Sequence, residues 1–242
     1  MTYCLAIKVR QGLLFAADSR TSAGVDYVSV YRKVHSFGKP GERQFVLLSA
    51  GNLATTQAVL NEVQRDLDDD AEVSLDKVSH VFDAAHYVGQ LSARIQAKYA
   101  EALEQNGSVS GASFILGGQI KGRPHDIFLI YPEGNYICAS PETPYLQIGE
   151  NKYGKPILDR LVHIGMSLED AARCACISLD STMRSNLSVG PPLELILYRN
   201  ESLEPGRHLI LKTSSPDYAS IRKSWKEGVE QAFTALPRFD WE

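Results

Sequence analysis

The hydrophobic period of this chain changes five times, and that order limits its possible folds more than any single motif does. Over residues 3–9, 13–17, 25–37 and 45–50, apolar and β-branched residues form strand-length runs. They are broken by a turn at Arg10–Gly12 and a loop at Gly38–Gly41. From residue 55 the spacing becomes helical. It predicts a helix over 55–67 and a longer one over 75–105. The stripe of the longer helix, Val78, Val81, Phe82, Ala85, Val88, Ile95, Tyr99 and Leu103, falls mainly at i+3 and i+4, and Asn106-Gly107 ends it. Strands return at 112–120, 125–131, 136–139 and 145–148. Helices follow at 155–163 and 167–183, then strands at 193–198 and 208–213, and a helix at 220–236. Gly117-Gly118 inside a strand pattern marks a bend.

Strands interleaved with helix pairs make an α+β protein. Packing each apolar face once gives a layered helix–sheet–sheet–helix arrangement, although periodicity alone does not set the layer order. No Pro-, Gly- or Ser-rich linker interrupts the 242 residues, so residues 1–242 are expected to form one domain with a C-terminal extension from about 208. At 44% hydrophobic and 22% charged, the chain has the composition of a globular protein. The net charge of -4 argues against a nucleic-acid partner. No run approaches the ~20 apolar residues of a membrane span, and the N-terminus lacks a signal-peptide pattern, so no membrane association and a cytoplasmic location are expected. Cys4, Cys138, Cys174 and Cys176 lie in apolar stretches and read as buried, reduced thiols; Cys174 and Cys176 lack zinc-site spacing.

Four elements could carry chemistry. Thr2 follows the initiator Met1, and removal of Met1 would leave an α-amine beside the threonine hydroxyl. Such an amine, with an ordinary pKa of about 7.7–8.0, is a usable general base near neutrality. Asp18, in the run Ala16-Ala17-Asp18-Ser19-Arg20, falls near the level of residue 2 if the first two strands pair antiparallel. Lys33, directed into a strand-lined cleft, would lower the amine pKa by like-charge repulsion and polarise the hydroxyl, with Asp18 balancing its charge. Gly51, in Ser49-Ala50-Gly51-Asn52 at a strand-to-helix junction, could offer its N–H to an oxyanion. Each has an ordinary structural reading when taken alone. No H-E-x-x-H, Walker or G-x-S-x-G motif appears, and the six histidines show no ligand spacing.

Taken together, residues 2–24 (TYCLAIKVRQGLLFAADSRTSAG), Lys33 and Ala50-Gly51 resemble the opening of an active proteasome β-subunit in order, spacing and chemistry. Ile148-Gly149-Glu150-Asn151, with Tyr153-Gly154 and Leu158-Asp159-Arg160, is similar to a later turn and helix of that family. The chain resembles most the bacterial Anbu (ancestral β-subunit) group. The resemblance implies the N-terminal-nucleophile hydrolase fold, a four-layer αββα sandwich of two antiparallel sheets flanked by helix pairs. It also implies a threonine-type endopeptidase without metal or cofactor, acting on peptides or unfolded proteins within a homo-oligomeric ring or helical assembly; an unfoldase partner is left open.

By the same resemblance, Thr2 is nucleophile and base, Asp18 and Lys33 activate it, and Gly51 is the oxyanion donor. Thr21, Ser49 and Leu53 line the substrate cleft. Two auxiliary positions depart from the family. Glu150 stands where a serine is usual and would raise the amine pKa, and Ser185 precedes Ser188 where an aspartate is usual. These departures leave open a slowly turning-over assembly scaffold, and the fold also leaves open a small-molecule amidase.

Overall fold

The computed structural model describes residues 2–22, 28–105 and 111–241. In chain order the strands are β1 (Tyr3–Val9), β2 (Gly12–Asp18), β3 (Arg20–Ser22), β4 (Val28–Val30), β5 (Val34–Lys39) and β6 (Arg43–Gly51). The helices α1 (Leu53–Asp68) and α2 (Val81–Gln105) follow. Then come β7 (Ala112–Ile120), β8 (Asp126–Ile130), β9 (Tyr136–Cys138), β10 (Tyr145–Gly149), α3 (Lys155–Leu161) and α4 (Leu168–Ser185). The chain closes with β11 (Leu193–Arg199), β12 (Arg207–Leu211) and α5 (Pro216–Thr234).

Two five-stranded antiparallel sheets form, in the orders β10-β1-β2-β11-β12 and β5-β6-β7-β8-β9, beside a β3-β4 ribbon. Side-chain alternation explains the layers. On β1 and β2, Tyr3, Leu5, Ile7, Leu14 and Ala16 pack with Leu158, Leu168, Ala175 and Leu179 of α3 and α4. The opposite face, with Cys4, Ala6, Leu13, Phe15 and Ala17, meets Val46, Leu48 and Ile115 of the second sheet. Beyond that sheet, Phe45, Leu47, Phe114 and Leu116 pack with Val59, Val63, Ala84, Val88 and Leu91 of α1 and α2. The result is the αββα sandwich. The strands read as continuous apolar runs because both faces of each sheet are covered.

The differences from expectation are local. Helix α2 starts at Val81, not 75. Residues 74–80 turn instead, and the Asp83 carboxylate accepts the His80 N–H at 3.0 Å just ahead of the helix. Phe82 and Tyr99 are exposed, so they do not belong to the buried stripe. The Leu103 side chain and the Asn106-Gly107 stop lie outside the described residues, as do residues 25–27 of the predicted 25–37 strand. Strand β5 continues to Lys39 through part of the expected Gly38–Gly41 loop, because it pairs with β6 as far as Arg43. Gly117-Gly118 makes no break in β7. A side chain at Gly117 would meet Phe15 and Ile127, so this glycine makes room between the sheets. Cys138 is exposed on the edge strand β9, while the other three cysteines are buried as expected. No helix among the described residues is long and apolar enough to cross a membrane.

Candidate active site

The hairpin register sets the site. Cys4 pairs with Ala17, which brings Asp18 level with Tyr3, and the Tyr3 N–H donates to Asp18 Oδ1 at 3.0 Å. The Tyr3 ring packs against α4, where its hydroxyl and Ser178 Oγ lie 2.7 Å apart, and Gln147 Nε2 donates to the same hydroxyl. Residue 2 thus lies at the start of β1, between the ends of β2 and β10. Its carbonyl accepts the Glu150 N–H at 2.7 Å. Gly149 carries a φ of +83°, and a Cβ there would run into the Thr2 carbonyl oxygen, so the β10 turn needs glycine to approach residue 2 this closely.

Asp18 is the node of the site. It is 1% exposed. Lys33 Nζ donates to Oδ1 at 2.6 Å, and the N–H groups of Arg20 and Gly190 donate to Oδ2 at 3.1 and 3.0 Å. Burial pushes the Asp18 carboxyl above its ordinary range, while the Lys33 charge and these donors pull it back. The second bond of Lys33 Nζ is to the Arg20 carbonyl at 2.6 Å, which leaves the ammonium fixed on two sides. The Ser49 N–H donates to the Lys33 carbonyl, tying β6 to this cluster.

A narrow cleft of about 30 Å³ opens beside residue 2. Thr2, Thr21, Lys33, Ser49, Gly51 and Leu53 all line it, so six of the predicted residues share one wall or another of a single space. Gly51 ends β6 with φ +113°, and a Cβ would strike the Gly111 carbonyl. Helix α1 begins two residues later, with the Asn52 side chain accepting the Thr55 N–H, so the positive end of the helix dipole lies at the cleft.

The auxiliary positions separate. Glu150 is buried, and its Oε2 accepts from Asn186 Nδ2 at 3.0 Å. Ser188 Oγ donates to Asn186 Oδ1 at 2.6 Å, and the Ser188 N–H donates to the same oxygen. Ser185 is exposed at the end of α4, apart from this chain of bonds. Asn186, Gly190 and Arg20 were not singled out in the sequence. Asn186 sits one residue past the helix and gave no signal beyond its proximity to Ser188, and the other two act through backbone atoms, for which residue type is no guide.

The chain matches the family described as proteasome subunit over residues 2–195. Among solved structures, it is 44% identical to Anbu (ancestral beta-subunit) from Yersinia bercovieri, at a TM-score of 0.92 over 99% of this chain and 100% of that one. It is also 44% identical to a structure described as a helical assembly of the Anbu complex from Pseudomonas aeruginosa, at a TM-score of 0.93 over 98% of each chain. Identity to an Anbu (Gly-1) mutant from Hyphomicrobium sp. strain MC1 is 41%, at a TM-score of 0.92 over 99% and 100%. No curated protein matches the chain.

Proposed function

This chain belongs to the proteasome subunit family, in its Anbu group, and we propose that it is a threonine peptidase in which Thr2, exposed by removal of Met1, is the nucleophile. The observation that carries the reading is the Asp18–Lys33 pair, buried next to residue 2 and bonded at 2.6 Å. In this reading Thr2 Oγ attacks the substrate carbonyl while the α-amine takes the hydroxyl proton, directly or through a water. Lys33 keeps that amine from holding its proton too tightly and stabilises the alkoxide as it forms. The Gly51 N–H, at the start of α1, receives the oxyanion. Collapse expels the amine product, which leaves with the proton, and an ester on Thr2 remains. Water then attacks the ester, and the acid product departs as Thr2 Oγ regains its proton.

The substrate is a peptide or unfolded protein chain able to enter a narrow cleft, and copies of the chain assemble with one another, as the P. aeruginosa relative is described to do. Treatment with an epoxyketone followed by mass spectrometry of the N-terminal peptide tests the reading. Loss of Met1 with an adduct on Thr2 supports it, as does loss of peptide hydrolysis in Thr2→Ala. An unmodified Thr2 on a chain lacking Met1, or hydrolysis that survives Thr2→Ala, sinks it. A second reading, a scaffold that turns over slowly, draws on the buried carboxylate of Glu150 next to residue 2; labelling of Thr2 without measurable peptide turnover would favour it.

A further inference from the structure

Among the described residues lining the cleft, Arg32 and Lys33 are cationic and none is a carboxylate. The two cations are engaged differently. Lys33 Nζ is occupied by Asp18 and the Arg20 carbonyl. Arg32 is half exposed, and its Nε donates to Glu194 Oε1 at 3.1 Å. A guanidinium has five N–H donors. The four on its terminal nitrogens have no partner among the described residues.

Glu194 accounts for the placement of this arginine. It lies on β11, two residues before Ile196, on the face turned toward the second sheet, and is 7% exposed. A carboxylate buried there is costly unless cations meet it. Arg32 supplies the cation, and His208 Nε2 lies 2.7 Å from the same oxygen as a hydrogen-bonding neighbour. The bond at Nε braces the guanidinium and leaves its terminal fork free, the edge that pairs with a carboxylate in a planar two-point contact. Tyr31 and Leu53 supply apolar walls beside it, and the N-terminus of α1 adds to the positive field.

We propose that Arg32 is the specificity-determining residue of this cleft, selecting peptides that carry an acidic side chain beside the bond presented to Thr2, with buried Glu194 as the positioning residue that aims it. The inference deepens the peptidase reading and rests on it for the identity of the ligand as a peptide.

The test measures binding and cleavage separately. Two fluorescent peptides differing only by Glu or Gln next to the scissile bond are titrated into the full-length protein and followed by anisotropy. The Glu peptide binds roughly tenfold tighter to the wild type, the order expected of one charge-assisted contact. Arg32→Gln brings the two affinities together, and Arg32→Lys, which keeps a cation against Glu194, gives an intermediate ratio. Glu194→Gln lowers the ratio by loosening the fork, and added salt lowers it in the wild type. Equal affinities in the wild type, no binding of either peptide, or a preference that persists in Arg32→Gln overturns the proposal. Cleavage of the same peptides is scored independently. Selective binding without cleavage keeps the role of Arg32 and counts against the peptidase, whereas cleavage without selectivity does the reverse.

Discussion

Asp18 and Glu150 are both buried residues bonded to the chain at Tyr3 and Thr2, one through its carboxylate and one through its backbone N–H, yet their carboxylates are held in different ways. Asp18 receives one ammonium and three backbone N–H groups, drawn from β1, the start of β3 and the loop after α4. Glu150 is held through its side chain by one amide, Asn186, itself braced by Ser188. A carboxylate clamped by backbone donors is set by the fold and moves only if strands move. One held by a single side chain can be retuned by a single substitution. The first arrangement suits a part of a site that must stay fixed, and the second a part that substitution can tune.

The largest effect should come from breaking the Asp18 clamp. Lys33→Ala leaves a buried carboxylate without its cation, and a loss of about 3–5 kcal/mol in denaturant unfolding is expected. Peptide hydrolysis should fall to background in the same protein. Full stability in this variant would show that Asp18 does not depend on the ion pair. Next is Gly51→Ala, which forces a side chain into a left-handed conformation against the Gly111 carbonyl. About 1–3 kcal/mol of destabilisation is expected from backbone strain, with kcat down roughly 100-fold from a displaced oxyanion donor.

Substitutions in the Glu150 cluster should act less on stability and more on pH. Glu150→Gln removes a negative charge that favours the protonated amine of Thr2. The amine pKa then falls, and the acid limb of the kcat/KM profile moves to lower pH. A limb that stays in place would show that Glu150 does not face the amine, and the contrast between the two carboxylates would then be one of packing alone.

The smallest effect concerns His35, just past Lys33. Burial first, and then the Arg32 charge, lower its pKa from 6.5 to about 4. An unfolded chain therefore takes up this proton near pH 6.5 while the folded chain refuses it until about pH 4. Stability present above pH 6.5 is lost as the pH falls through that window. His35→Gln should flatten this part of the stability–pH curve. An unchanged slope would assign the loss to other groups, the Asp18 cluster among them.

Much of this molecule was legible in the one-dimensional pattern. The period changes located the strands and helices, and the two-faced burial of β1 and β2 was written in their unbroken apolar runs. Thr2, Asp18, Lys33 and Gly51 stand out as candidate site residues because their order and spacing resemble a known family. Residues 75–80 keep a helix-compatible pattern, so spacing extends α2 six residues too far, while the Asp83 carboxylate accepting the His80 N–H sets the start. Phe82 and Tyr99 fit the stripe by spacing yet are exposed, because hydrophobicity does not say whether a neighbour exists to cover a side chain.

Local sequence thus sets the alternation that makes two doubly covered sheets and supplies the candidate residues of the site. Tertiary structure decided what surrounds them. The Gly190 N–H reaches Asp18 from 172 residues away, Asn186 reaches Glu150 from just past α4, and Arg32 is bonded to Glu194 on β11. Such contacts depend on register and loop path, which involve distant parts of the chain at once, so no local stretch of sequence carries them.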